Sequence, residues 1–170
     1  MLSPGSRSLR GSPQHRQRGM FLLEALVGIL IFSIGILALV AMQATAITAQ
    51  ADAQYRVEAA NRAEQIASEI ALNVDRTSAT TIQTSLAPFA HQASGSNCRF
   101  TGAASTAQQV TDWVGTVTTG RTRLPGTSAS MLQVAIDSSA AAYNKVSVTI
   151  CWQAPNDLVA RRHTVVTFIN

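Results

Sequence analysis

The chain has 170 residues, a formal net charge of +4 and two cysteines, which is enough for one domain plus an appendage. Its basicity is local: Arg7, Arg10, Arg16 and Arg18 precede Met20 with no acidic residue among them, and from Met20 onward nine basic residues balance nine acidic ones. A basic tail beside an apolar run is an orientation signal rather than a nucleic-acid footprint, so nucleic acid is not expected as a partner.

The apolar run is MFLLEALVGILIFSIGILALVAM, Met20 to Met42, in which Glu24 is the single charge and Ser33 the only other polar residue. Ala25 to Met42 alone supplies about the 18 residues needed to cross a bilayer core as a helix. The preceding arginines hold the N-terminus on the cytoplasmic side and put the remainder outside. Two readings compete for this segment. A cleaved secretory signal would use Ala44-Thr45-Ala46, a small-x-small site, but the run is longer than the roughly 7–15 apolar residues of a signal core. A plain uncleaved anchor leaves Glu24 unexplained, because a carboxylate in a membrane helix costs free energy and marks a function or a partner.

Arg18-Gly19-Met20-Phe21-Leu22-Leu23-Glu24 resembles the processing site of type IV prepilins and type II secretion pseudopilins, with a basic leader, a glycine before the scissile bond, an apolar residue after it and a downstream glutamate. Methionine stands at Met20 where those families usually have phenylalanine. The resemblance implies cleavage between Gly19 and Met20 and N-methylation of Met20 by a prepilin peptidase, which makes residues 1–19 a leader. It also implies that Glu24 meets the positively charged N-terminal amine of a neighbouring subunit. Near a helix N-terminus the macrodipole favours such an anion by about 0.3–1 kcal/mol. Gly28 and Gly35, seven residues apart, share a face on which neighbouring helices can approach closely.

Beyond Met42 no proline or glycine occurs before Pro88. Tyr55, Ala59, Ala63, Ile66, Ile70 and Val74 recur at helical spacing, with Glu58, Arg62, Gln65 and Glu69 on the other side and Glu58–Arg62 as an i,i+4 pair. The expectation is one helix from Met20 to about Val74, with residues 20–42 as the membrane or filament-core half and 43–76 as a projecting amphipathic half. At about 1.5 Å per residue it would far exceed a bilayer core, so the second half needs a head domain, or a coiled-coil partner, to cover its stripe. Residues 77–170 would form that head. Thr77 to Gln109 reads as a long loop with one short element near Cys98-Arg99-Phe100, and Val110, Trp113, Val114 and Val117 as a short helix. Leu124-Pro125-Gly126 marks a turn. Three alternating runs follow: Leu132–Ile136, Val146–Trp152, and Val165–Ile169, the last alternating through Val166 and Phe168. They are expected to form an antiparallel meander whose apolar face covers the helix stripe. The fold class is thus α+β, the layout that the pilin resemblance also implies.

Cys98 and Cys151 both lie beyond the apolar run, and an even pair in an exported head predicts one disulfide. Neither His91 nor His163 stands at ligand spacing from them, so no metal site and no cofactor are expected. Trp113 and Trp152 read as core, His163 as a surface or edge residue, and Asp112, Asp137 and Asp157 as turn residues. Arg121 and Arg123 beside the turn read as solvated loop residues rather than as contacts to an anionic surface or nucleic acid. With no phosphate loop, nucleophile elbow or His-rich motif, an enzyme is not expected.

Within the superfamily the chain is most similar to the PilV family of minor pilins, the type IV pilus modification proteins. That likeness rests on Ala25-Leu26-Val27, Ile34-Gly35-Ile36-Leu37, the stretch from Arg62-Ala63 to Ile70, Asp112-Trp113, Leu124-Pro125-Gly126 and Val146 to Trp152. It implies a role in pilus assembly or initiation, within a tip complex of minor pilins and an adhesin above the major pilin. The protein would sit in the inner membrane with its head in the periplasm, and then in the extracellular pilus. A minor pseudopilin of a type II secretion system shares the N-terminal motif. An envelope protein released near Ala46 is the reading from a different class.

Overall fold

A computed structural model of the chain describes residues 18–121 and 123–170. Contacts divide it into two units, Met1–Ala49 and Gln50–Asn170.

Helix α1, Arg18–Asn73, begins in the first unit. There it is long and apolar enough to cross a membrane, and Met20 to Met42 is exposed throughout. The hydroxyls here are satisfied within the helix: Ser33 and, beyond Met42, Thr45 and Thr48 each donate to the carbonyl four residues back. This back-bonding removes the cost of placing a hydroxyl in apolar surroundings.

The second unit carries the core. The stripe expected on α1 is buried as spaced, with Ala59, Ala63, Ile66 and Ile70 fully inaccessible and Val74 nearly so. The alanines give the narrow surface that lets the backbone pack closely. Arg62 Nε donates to Glu58 Oε1 at 2.7 Å, the i,i+4 pair read from the sequence.

The segment from Thr77 to Gln109 has the short element expected near Cys98-Arg99-Phe100, but the rest of it corrects the expectation of a long loop. It contains α2, Ala79–Leu86, followed by a 3-10 turn at Ala87–Phe89. A hairpin then pairs β1, Ser94–Ser96, with β2, Arg99–Thr101. Helix α2 starts at Ser78, whose hydroxyl accepts from the Thr81 N–H while the Thr81 hydroxyl accepts from the Ser78 N–H; such reciprocal capping satisfies two otherwise unpaired donors. Ile82, Leu86 and Phe89 deliver one apolar face to the core. Helix α3, Gln108–Thr118, buries Val110, Trp113 and Val117, and Trp113 Nε1 donates to the Arg62 carbonyl of α1 at 3.0 Å.

The three-stranded antiparallel sheet has the expected order: β3, Leu132–Asp137; β4, Lys145–Trp152; β5, Arg161–Phe168. Leu132, Val134, Val146, Val148, Ile150 and Trp152 face the core. The last strand corrects the sequence reading in two ways. It begins four residues earlier, and its register places Val165 opposite Val148, so that Val166 and Phe168 lie on the other face and are exposed. Ile169, just past the strand, turns into the core, where Asn144 Nδ2 donates to its carbonyl at 3.1 Å.

The turn at Leu124-Pro125-Gly126 is present. Gly126 has φ +63°, and a Cβ there would stand 2.5 Å from the Gln153 carbonyl oxygen. Glycine is required both by the left-handed backbone and by this close approach.

Candidate functional site

Gly19 and Met20 fall in the first turn of α1; Arg7, Arg10 and Arg16 lie outside the described residues. Met20 and Glu24 are exposed on the unburied apolar stretch. Glu24 makes no hydrogen bond or ion pair with any described residue, and it is the only acidic or basic residue between Met20 and Met42. A Cβ added at Gly28 or Gly35 would meet nothing within 4 Å, so both glycines present open surface. This stretch therefore has a satisfied backbone, internally bonded hydroxyls and one unneutralised carboxylate. Apolar surroundings suit everything on it except Glu24, which needs a cation.

Cys98 and Cys151 form a disulfide with Cα atoms 5.7 Å apart. Asn97 and Cys98, both with positive φ (52° and 62°), form the two-residue loop of the β1–β2 hairpin. Two successive left-handed residues are what a tight hairpin turn demands. Asparagine tolerates that conformation; cysteine at the second position stands where glycine is favoured. The register puts Cys151 on the face of β4 away from the main core, opposite Arg162. There Cys98, Phe100 and Cys151 form a second small buried cluster, with Met131 and Ala160 against it. The disulfide thus fastens the hairpin over one end of the outer sheet face.

Arg161 is a junction that sequence reasoning missed. Its guanidinium meets both Asp157 carboxylate oxygens, at 2.9 and 2.8 Å, and the Asp52 carboxylate of α1 at 2.6 Å. Hydrogen bonding and ion pairing with Arg161 hold the Asp157 carboxyl below its ordinary pKa. Asp137 acts as a turn residue, accepting from the Ser139 N–H. Asp112 does not: it sits within α3 and accepts from Gln108 Nε2 at 2.8 Å. Trp113 and Trp152 are buried, and His163 is half-buried on the edge strand β5. Buried His91 accepts the Ser105 N–H at Nδ1, and burial lowers its pKa.

A cleft of about 280 Å³ lies against Arg62, Glu69, Gln108, Asp112 and Trp113. A larger one, about 780 Å³, opens beside the disulfide. Among the described residues no group of three or more His, Cys, Asp or Glu side chains converges as metal ligands would. No protein-family description, curated protein or solved structure matches the chain.

Proposed function

We propose that the protein is a minor type IV pilin that acts in pilus assembly or initiation. A prepilin peptidase cleaves it between Gly19 and Met20 and methylates the new amine. The inner membrane holds α1 until the subunit enters a tip complex with other minor pilins. The observation that carries this reading is Glu24. It is a lone unneutralised carboxylate five positions after a basic leader and glycine, on a helix whose apolar surface its own chain leaves open. A neighbouring subunit's N-terminal amine supplies the missing cation, and the same neighbour's helix covers the apolar surface. The α+β head, with a sheet laid on the amphipathic part of α1, supports the reading as a compatible layout. The Trp113 and Leu124-Pro125-Gly126 motifs favour the pilus over a type II secretion pseudopilin.

Mass spectrometry of protein from envelope or filament fractions tests the processing step: the expected mature chain starts at N-methylated Met20, and a start near Ile47 refutes it. Glu24→Ala is expected to leave cleavage and head folding intact while abolishing recovery of partners and surface pili, because each contact would leave a buried amine unpaired at a cost of about 3–5 kcal/mol. Wild-type piliation and wild-type partner recovery by the variant would refute the role of Glu24. Recovery of secretion-system subunits in place of pilus components would move the protein to the pseudopilins.

A further inference from the structure

The two edges of the sheet are treated differently. On β3 the outer edge is capped by reciprocal backbone hydrogen bonds between Val134 and His91, at 2.9 and 3.0 Å. On β5 no described strand or bridge covers the outer edge. An uncovered edge offers a row of unpaired N–H and C=O groups to another strand, and proteins usually blunt it with prolines, lysines, bulges or short length. β5 runs for eight residues, RRHTVVTF, with neither proline nor lysine.

The side chains beside this edge point to its occupant. The register puts Arg162, Thr164, Val166 and Phe168 on the outer face, where Val166 and Phe168 are 50% and 56% exposed. At its Arg162 end this face enters the 780 Å³ cleft by the disulfide, whose lining includes Arg99, Leu158 and Val159. Leu158 is 98% exposed and Val159 73%.

These two residues project from a pinned loop. Asp157 accepts from Arg161 and from the Ala154 N–H, its own N–H donates to the Ala154 carbonyl at 2.9 Å, and Gln153 Nε2 donates to its carbonyl at 2.9 Å. Holding branched apolar side chains in water on an ordered loop lowers the ordering cost of a later contact. No acidic residue lines the cleft, and neither Arg99 nor Arg162 has a carboxylate partner among the described residues.

We propose that the free edge of β5, with the Leu158–Val159 loop and the Arg99–Arg162 pair, docks an extended segment of a partner protein that adds to the sheet as a fourth strand and whose outward-facing alternate residues are acidic beside Arg162 and branched apolar beside Val166 and Phe168. Backbone pairing supplies affinity in this mode and the alternate side chains supply selectivity. A second copy of β5 fits poorly, because it brings two more arginines and no carboxylate to a surface already holding two unpaired guanidiniums. A lipid surface lacks the backbone groups that the edge requires. The inference uses neither Gly19, Met20 nor Glu24, so it stands or falls separately from the processing and assembly reading.

The test uses the full chain in neutral detergent micelles and a fluorescein-labelled Glu–Val decapeptide, whose alternate positions carry Glu at one end and Val at the other with Thr between them, and controls with Lys for Glu (Lys–Val) or Ser for Val (Glu–Ser). Anisotropy is expected to show the Glu–Val peptide binding at least about tenfold tighter than either control. Arg162→Glu, or Leu158→Ser with Val159→Ser, should each weaken it about tenfold, with thermal unfolding of the variants unchanged as the check on folding. Amide hydrogen exchange within 161–168 should slow on binding. Equal binding of the Lys–Val peptide, binding without protection in β5, or no binding would overturn the proposal. So would β5 amides already protected in a concentration-dependent dimer of the chain alone, which would assign the edge to a second copy.

Discussion

Replacing both Cys98 and Cys151 by alanine should cost the head about 3–4 kcal/mol. The bond joins residues 53 apart in sequence, and restricting a loop of that length in the unfolded chain is worth about 4 kcal/mol in the chain-entropy treatment. Against this, Cys98 holds a left-handed backbone at φ 62°, a conformation that costs a residue with a Cβ about 1 kcal/mol and that the open hairpin can relax. The disulfide is also not embedded in the main core; it closes a satellite cluster with Phe100, so alanines there leave Ile66, Ile70 and the β4 face packed as before. The loss should therefore appear as lower stability of an intact fold. Trp113 and Trp152, both buried, make tryptophan fluorescence a direct reporter of that core during urea unfolding of the full chain in micelles. With a slope of about 2 kcal/mol/M, the midpoint should fall by about 2 M. Reducing the wild-type protein should reproduce the shift. A midpoint within about 0.3 M of wild type, with unchanged slope, would refute the reasoning, since it would mean that the bond constrains nothing the unfolded chain could otherwise explore.

Three further outcomes follow from the head. Ile70→Ala, at a fully buried position, should destabilise by about 2–5 kcal/mol, whereas Leu72→Ala, two residues along and 82% exposed, should stay within about 0.5 kcal/mol; equal effects in urea unfolding would refute the assigned helix face. Gly126→Ala should cost about 1–3 kcal/mol by the same assay, because its Cβ would collide with the Gln153 carbonyl at a left-handed backbone position. Burial holds the His91 pKa below its ordinary 6.5, so the unfolded state takes up the proton first. This contribution leaves stability flat above pH about 6.5, lowers it by up to 1.4 kcal/mol per pH unit as pH falls below that value, and levels off below the folded pKa. His91→Gln should remove that component, and an unaltered pH profile between 7.5 and 5 would refute the assignment.

Most of the fold was legible because its signals are long and periodic. The α1 stripe from Tyr55 to Val74 and the alternation in β3 and β4 each repeat often enough to define a face. What escaped lies where elements are short or their chemistry is polar. Helix α2 had its signs in the chain: Ser78 and Thr81 at capping spacing, Ile82, Leu86 and Phe89 at helical spacing, and Pro88 near its end. They were overshadowed by the Ser/Thr-rich composition around them. Of the β1–β2 hairpin only the part near Cys98-Arg99-Phe100 was legible, since its partner strand is Ser-Gly-Ser, which carries little strand preference; the disulfide and a left-handed turn hold the two together. The reading of β5 slipped because Val165 to Ile169 is apolar on both alternations; only the pairing with β4 decides that Val165 faces in.

The candidate sites divide on the same line. Gly19, Met20 and Glu24 were legible because they are a local string of residues, and the fold adds to them only what surrounds Glu24, which is open surface. A site completed within one chain shows converging side chains. A site completed by a neighbour shows a surplus, and the proposed assembly site is argued from exposed apolar area and a carboxylate with no cation among the described residues. Arg161, by contrast, was invisible in sequence, since Asp52 and Asp157 come from a helix and a loop over a hundred residues apart and only the fold joins them. That junction also fixes the loop carrying Leu158 and Val159. Arg99, Arg162 and Glu24 have no ion-pair partner among the described residues. Charges that folding leaves unsatisfied, placed beside apolar surface that folding leaves uncovered, are the physical ground on which both proposed associations rest.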